Sequence, residues 1–204
     1  MVQSYDDAVI DIIQSGNSLN KLGLAPATSG NYSMRIAGDE MAITVSGAHK
    51  GQLTSDQVMR CRINGNPLED KKPSAETLLH CLIYKLYPDI NAVLHTHSVP
   101  CSVLTRLISD DTLILTGYEM LKAYPNIDTH DVSVSLPIFD NTQNMDYLSK
   151  QVENTLVNNR KISAYLIRSH GIYGWGCDMN EARRVIEATE MMLSCEMNIR
   201  QMKG

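Results

Sequence analysis

The sequence predicts a single three-layer α/β domain. Its 204 residues suffice for one domain with a sizeable core. Segments with helical apolar spacing mingle with short apolar or alternating stretches without strict alternation of the two kinds. No repeat, low-complexity tract or linker divides the chain, so it is read as one domain over 1–204.

The elements follow in order. Val9, Ile10, Ile12, Ile13, Leu19 and Leu22 recur at helical spacing and predict an amphipathic helix over 4–22, ended by Gly23 and Pro26. "YSMRI" and "MAITVS" are short strands around the turn "AGDE". After the loop "INGNPLEDKKP", Ser74 is placed to cap a helix through "AETLLHCLIYKLY" to Pro88. "INAVLH" predicts a buried strand, and "SVPCSVLTRL" a helix with Pro100 in its first turn. An apolar strand precedes "LTGYEMLKAYP", whose periodicity is mixed. "DVSVSLPIF" alternates like a strand, "MDYLSKQVENTLVN" has helical spacing, and "SAYLIR" is again a strand, followed by the glycine-rich stretch "GIYGWG". From Asn180 onward the chain predicts one long closing helix with Asp178 as its cap.

Composition narrows the function classes. A formal net charge of -5, with 43% hydrophobic and 20% charged residues, gives no basic face for nucleic acid. The N-terminus "MVQSYDDAVIDIIQ" carries two aspartates and no basic run ahead of its apolar residues, unlike a signal peptide, and no apolar segment approaches a membrane span. The five cysteines, Cys61, Cys81, Cys101, Cys177 and Cys195, are scattered without CxxC spacing, as in a cytoplasmic protein whose reduced cysteines pack as small hydrophobes. A metal site would therefore be built from imidazoles.

His95 and His97 lie one residue apart at the end of an apolar strand, where positions i and i+2 share a face. Two readings are open for the pair: ligands converging on one ion, or a helix cap beside a backbone-bonded histidine. His170 follows a second apolar strand, so adjacent strands would bring three imidazoles around one ion with a coordination position left open. His49 and His130 sit in polar loops, and His80 lies within a helix as a core or interface histidine. Glu76 and Glu119 are the candidate carboxylates for proton transfer, although Glu76 in a first helical turn also suits the helix dipole. "ATSGNYS" and "TVSGAHKG" place hydroxyls and glycines where backbone N–H groups meet an anion, and Lys50 adds a positive charge.

In order and nearly in spacing, "TSGNYS", "ITVSGAHKG", "KPSAETLLH", "VLHTHS" and "LIRSHGIYGWG" resemble the class II aldolase/adducin family over almost the entire chain. "LTGYEMLKA", the following "TH" and "LPIFDNTQNM" are most similar to family members that dehydrate 5-methylthioribulose 1-phosphate in methionine salvage. The resemblance implies a class II aldolase-like α/β/α domain with a central, mostly antiparallel sheet. It implies one Zn2+ per subunit, or another divalent ion, on His95, His97 and His170. It further implies phosphate and substrate binding by Ser29, Gly30, Asn31, Ser46, Gly47 and Ser74, with Thr77 at a substrate-contact position. Glu119 matches the dehydratase acid/base, and Glu76 falls where the aldolases keep their catalytic glutamate. A cytoplasmic homotetramer with sites near subunit boundaries is expected, in which the final helix and Tyr118 serve a neighbouring site. The implied reaction passes through a metal-stabilised enediolate to 2,3-diketo-5-methylthiopentyl 1-phosphate. The alternatives are a fuculose- or ribulose-phosphate type aldolase using Glu76, and a non-catalytic adducin-like scaffold.

Overall fold

The computed structural model describes residues 3–203. Eight strands form one sheet: β1 (Asn31–Arg35), β2 (Glu40–Thr44), β3 (Val58–Arg62), β4 (Ala92–Thr96), β5 (Thr112–Thr116), β6 (Ser133–Phe139), β7 (Ala164–Ile167) and β8 (Gly171–Gly176). Their spatial order is β3-β2-β1-β4-β8-β7-β6-β5. Every neighbouring pair is antiparallel except β6 and β7. Five helices cover it: α1 (Tyr5–Lys21), α2 (Thr77–Leu86), α3 (Val99–Leu107), α4 (Met145–Asn158) and α5 (Met179–Lys203).

Strand alternation builds the three layers. In β4, Ala92 and Leu94 face a core shared with Ile12 of α1, Leu104 of α3 and Ile186 of α5. Val93 faces the other way, into a core with Leu79 and Ile83 of α2 and Leu148 and Val152 of α4. The expected α/β/α domain with a mostly antiparallel sheet is thus the architecture observed. Among the described residues no helix is long and apolar enough to cross a membrane, and Cys61, Cys81 and Cys101 are buried free thiols.

Local chemistry sets most boundaries where the sequence places them. Ser4 caps α1 by accepting from the Asp7 N–H at 3.2 Å, and Gly23, at φ 76°, follows its end. Ser98 caps α3 by accepting from the Cys101 N–H at 3.1 Å, so neither His95 nor His97 serves as that cap. Asp178 caps α5 through its carboxylate, which accepts from the Glu181 N–H at 2.8 Å.

Two expectations are corrected. Ser74 does not cap α2, because its hydroxyl accepts from the Glu76 N–H at 3.3 Å in a preceding turn. Glu76 itself takes the N-cap position, with its side chain free for other partners. The stretch "GIYGWG", expected only as a glycine-rich segment after a strand, is itself β8, a central strand between β4 and β7. Its glycines are spacers: a Cβ on Gly174 would meet Ile186 Cδ1 at 2.8 Å, and one on Gly176 would meet the Ala182 nitrogen at 2.5 Å, so α5 lies directly on this strand. Strand β3 is likewise not announced by the sequence, because Arg60 and Arg62 break its apolar pattern at the sheet edge.

One buried carboxyl ties α5 to the end of β4. Thr96, between the two histidines, points to the opposite face and donates its hydroxyl to Glu190 Oε1 at 3.4 Å. Burial pushes the Glu190 carboxyl up to about 7, against the pull of Ser98 and Thr96 in the other direction. The unfolded chain releases this proton near 4.5, so between those values the folded state holds one proton more. Stability must then fall as pH rises. Between about pH 5.5 and about pH 8 the wild type is expected to lose about 2 kcal/mol that Glu190→Gln does not lose. Urea unfolding of both proteins across that range measures the difference, and parallel pH profiles would remove the assignment.

Candidate functional site

Three imidazoles converge at one end of the sheet, on the face covered by α2 and α4. His95 is the penultimate residue of β4, which is buried throughout, His97 follows the strand, and His170 closes the tight turn between β7 and β8. His97 Nε2 lies 2.9 Å from His95 Nε2, which lies 3.3 Å from His170 Nε2. The three nitrogens form one group whose ligand atoms all lie within 4.8 Å of one another.

The outer nitrogens show that these rings suit a cation. His95 Nδ1 lies 2.9 Å from the Ile172 carbonyl, which can only accept, so Nδ1 carries the proton and Nε2 turns a lone pair inward. His170 Nδ1 makes the same kind of contact, at 3.3 Å, with Asn141 Oδ1. Burial pushes His95 and His97 down, His97 to about 3, which keeps both rings neutral and able to donate lone pairs. His95 is also stacked on Tyr173, with ring centroids 4.2 Å apart and planes 15° from parallel, and Tyr165 continues the stack. This donor set fits a divalent ion of borderline softness.

His170 is held by its turn. Ser169 sits at φ 57°, which costs a non-glycine residue about 1 kcal/mol, and its N–H donates to Thr105 Oγ1 at 2.9 Å. The preceding Arg168 donates to the carbonyls of Thr105 and Ile108 and to Asp140 Oδ1, at 2.7, 2.5 and 2.9 Å. The turn is therefore pinned to α3 and to the end of β6.

Glu76 joins the cluster. Its carboxylate oxygens lie 3.2 Å from His95 Nε2 and 3.4 Å from His170 Nε2, and its side chain is 12% exposed. Burial alone would push this carboxyl up, but positive charge at the position of the imidazoles and the Asn31 amide draw it down. Asn31 donates to Glu76 through Nδ2 at 3.0 Å. Its Oδ1 accepts from His80 Nε2, which leaves His80 Nδ1 to accept from the Ser33 hydroxyl at 2.7 Å. The Tyr84 hydroxyl in turn donates to Ser33 at 2.8 Å. His80, expected as a core histidine, is buried and belongs to the network that orients Glu76.

A cleft of about 390 Å³ opens beside the cluster. Its lining includes Gly30, Ser46, Gly47, Lys50 and Ser74 together with Glu76, His97, His170, Gln143 and Met145. Lys50 links the two Ser-Gly loops, donating from Nζ to the Thr28 and Ala48 carbonyls at 3.0 and 2.5 Å. Burial pushes its ammonium down to about 8. Loops of glycines, hydroxyls and an ammonium can hold an anion, while the imidazoles and the carboxylate in the same cleft can polarise and deprotonate what the anion carries.

Other sequence candidates are placed elsewhere. Ser29 donates its hydroxyl to the Pro26 carbonyl at 2.6 Å and is not part of the cleft wall. Thr77 is buried and donates to the Ser74 carbonyl at 2.7 Å, because the turn before α2 folds its hydroxyl back on the backbone. His49 caps a short 3₁₀ turn by accepting from the Gly51 N–H at 3.2 Å. Tyr118 donates to Glu196 of its own α5 at 2.8 Å.

Glu119 is not brought to the histidines within one chain. Its side chain is 69% exposed and lies 2.5 Å from Lys122 and 3.5 Å from His130. His130 precedes the start of β6, whereas the end of β6 pairs with the end of β7 ahead of His170. The length of β6, about 20 Å, separates them. Conversely, Asn141, Gln143 and Met145 are site residues that the sequence reading does not single out. The signal was available in "FDNTQNM": a polar run after a buried strand is a loop at a strand end, where sites gather.

Comparison with known proteins agrees with this geometry. Residues 10–197 match the family model described as Class II Aldolase and Adducin N-terminal domain. A methylthioribulose-1-phosphate dehydratase of Azotobacter vinelandii is 47% identical over 194 residues, covering 95% of this chain and 94% of that protein. Its counterpart in Pseudomonas syringae pv. syringae is 46% identical over 198 residues, covering 97% of each. Among solved structures, the L-fuculose-1-phosphate aldolase of Thermus thermophilus superposes with a TM-score of 0.77 at 23% identity, covering 96% of this chain and 95% of that one. By family model, by near full-length identity and by fold, the chain belongs to the class II aldolase and adducin family.

Proposed function

We propose that this protein is a metal-dependent hydro-lyase that converts 5-methylthioribulose 1-phosphate into 2,3-diketo-5-methylthiopentyl 1-phosphate, the dehydration step of methionine salvage. One observation carries the reading beyond the relatives' names. The His95, His97 and His170 Nε2 atoms and the Glu76 carboxylate converge beside a cleft whose Ser-Gly loops and Lys50 suit a phosphate.

His95, His97 and His170 would hold a divalent ion, zinc in this reading, which would supply a Lewis acid for negative charge developing on the ketose. The Ser-Gly loops and Lys50 bind the phosphate on C1 and fix the sugar's direction in the cleft. Glu76, ionised and held by Asn31, accepts the C3 proton. The C4 hydroxyl departs as water after Glu119 protonates it, and the resulting enol tautomerises to the diketone. Since Glu119 stands a strand's length from its own histidines, in this reading it acts on a site of a second copy, within the homotetramer that the family resemblance implies.

Three outcomes follow. Offered 5-methylthioribulose 1-phosphate and fuculose 1-phosphate side by side, the protein should form a diketone from the first and release no aldehyde from the second. Aldehyde release would select an aldolase using Glu76, and no turnover with under about a tenth of an equivalent of divalent metal per chain would select a scaffold.

His97→Ala and Glu119→Gln should each lower dehydration by about a hundredfold or more. Refolded together in equal amounts, the two inactive variants should recover about a quarter of wild-type activity, because independent assortment pairs intact His97 with a neighbour's intact Glu119 at that frequency. Absence of recovery would rule out the exchange between copies.

Lys50→Met should weaken competitive inhibition by inorganic phosphate about tenfold, the size of a lost charge-assisted contact. In the wild type the same inhibition should decline above about pH 8, as the buried ammonium gives up its proton. An unchanged phosphate inhibition constant in the variant would take Lys50 out of the anion site.

A further inference from the structure

We infer that Met145 receives the C5 methylthio group and sets the preference for a thioether-bearing ketose 1-phosphate over its 5-hydroxy counterpart. The inference rests on the reaction proposed above and assigns the far end of its substrate.

The order of strands carries the argument. Across the site end of the sheet, the sequence in space is β2, β1, β4, β8, β7 and β6. The anion-suited residues Ser46 and Gly47 follow β2, and Gly30 precedes β1. His95 and His97 stand at β4, and His170 at the turn joining β7 to β8. Beyond them, the loop after β6 leads to Met145, the first residue of α4. The substrate has a matching order: phosphate on C1, the two oxygens for the metal on C2 and C3, and sulfur on C5. With its phosphate at the loops and its oxygens at the imidazoles, the chain continues along the strand order toward the β6–α4 side.

On that side the cleft presents Gln143 and Met145. Gln143 is exposed and polar, whereas Met145 is half-buried and packed against the core between the sheet, α2 and α4. Its backbone is fixed, since Asn144 caps α4 by accepting from the Tyr147 N–H at 3.0 Å. The same loop reaches His170 through Asn141 at 3.3 Å, which holds the apolar wall in register with the imidazoles. A flexible, polarisable thioether on an apolar backing suits the burial of another thioether and offers no hydrogen bond to a hydroxyl in its place.

The test compares kcat/KM for 5-methylthioribulose 1-phosphate and ribulose 1-phosphate in wild type, Met145→Gln and Met145→Leu. The wild type should prefer the thioether. Met145→Gln, similar in length but polar, should reduce that preference about tenfold or more, chiefly through KM for the thioether substrate. Met145→Leu, apolar again, should recover most of it. If the wild type dehydrates 5-methylthioribulose 1-phosphate and Met145→Gln keeps the wild-type preference, this assignment is overturned while the reaction stands. If the wild type dehydrates neither ketose, the reaction falls and the assignment falls with it.

Discussion

The site depends on how closely β1 and β8 approach β4 around His95. A Cβ on Gly30 of the loop entering β1 would stand 2.5 Å from the His95 carbonyl oxygen. One on Gly171 would stand 2.1 Å from the Thr96 carbonyl and 2.9 Å from His95 Cε1. Gly30 also holds φ 77°, so its lack of a side chain serves both conformation and contact. The approach of β8 lets the Ile172 carbonyl reach His95 Nδ1 and brings Tyr173 flat against the ring. Widening either gap would free the central imidazole, and with it the convergence of the three Nε2 atoms.

Around this centre, buried polar groups bond to one another on both faces of β4. On one face, Tyr84, Ser33, His80 and Asn31 form a directed chain of hydrogen bonds ending at Glu76, so its carboxylate is aimed before any ligand arrives. On the other face, Glu190 accepts the hydroxyl of Thr96, the residue between His95 and His97. Preorganisation of this kind carries a stability cost, visible in the raised Glu190 carboxyl and the left-handed Ser169. Extensive apolar burial on both faces of the sheet outweighs it.

Much of this was legible in the chain itself. Apolar periodicity located every helix, and α4 coincides with the predicted segment from end to end, because helical spacing and capping residues are local properties. The HxH pair at a strand end and a third histidine after another strand foretold the cluster. Two strands resisted for opposite reasons. β3 lies at an edge where arginines are tolerated, and β8 is so crowded by β4 and α5 that glycine replaces the β-branched residues expected of a central strand. Ser29 and Thr77 stood in suggestive motifs, yet turn geometry folded both hydroxyls onto nearby carbonyls.

By itself, the sequence determined the layered fold class, the identity of the three imidazoles and the family, since periodicity, residue type and motif order are carried in one dimension. Tertiary structure alone decided which carboxylate stands with them. Glu76 and Glu119 are equivalent as letters in a chain, but the turn before α2 carries one over His95, and the length of β6 keeps the other away. Met145 likewise became distinct among eleven methionines only once strand order set it beyond the histidines, on the side opposite the anion loops. The physical reason is common to both: a side chain's chemistry is local, whereas its partners are chosen by which strand ends meet.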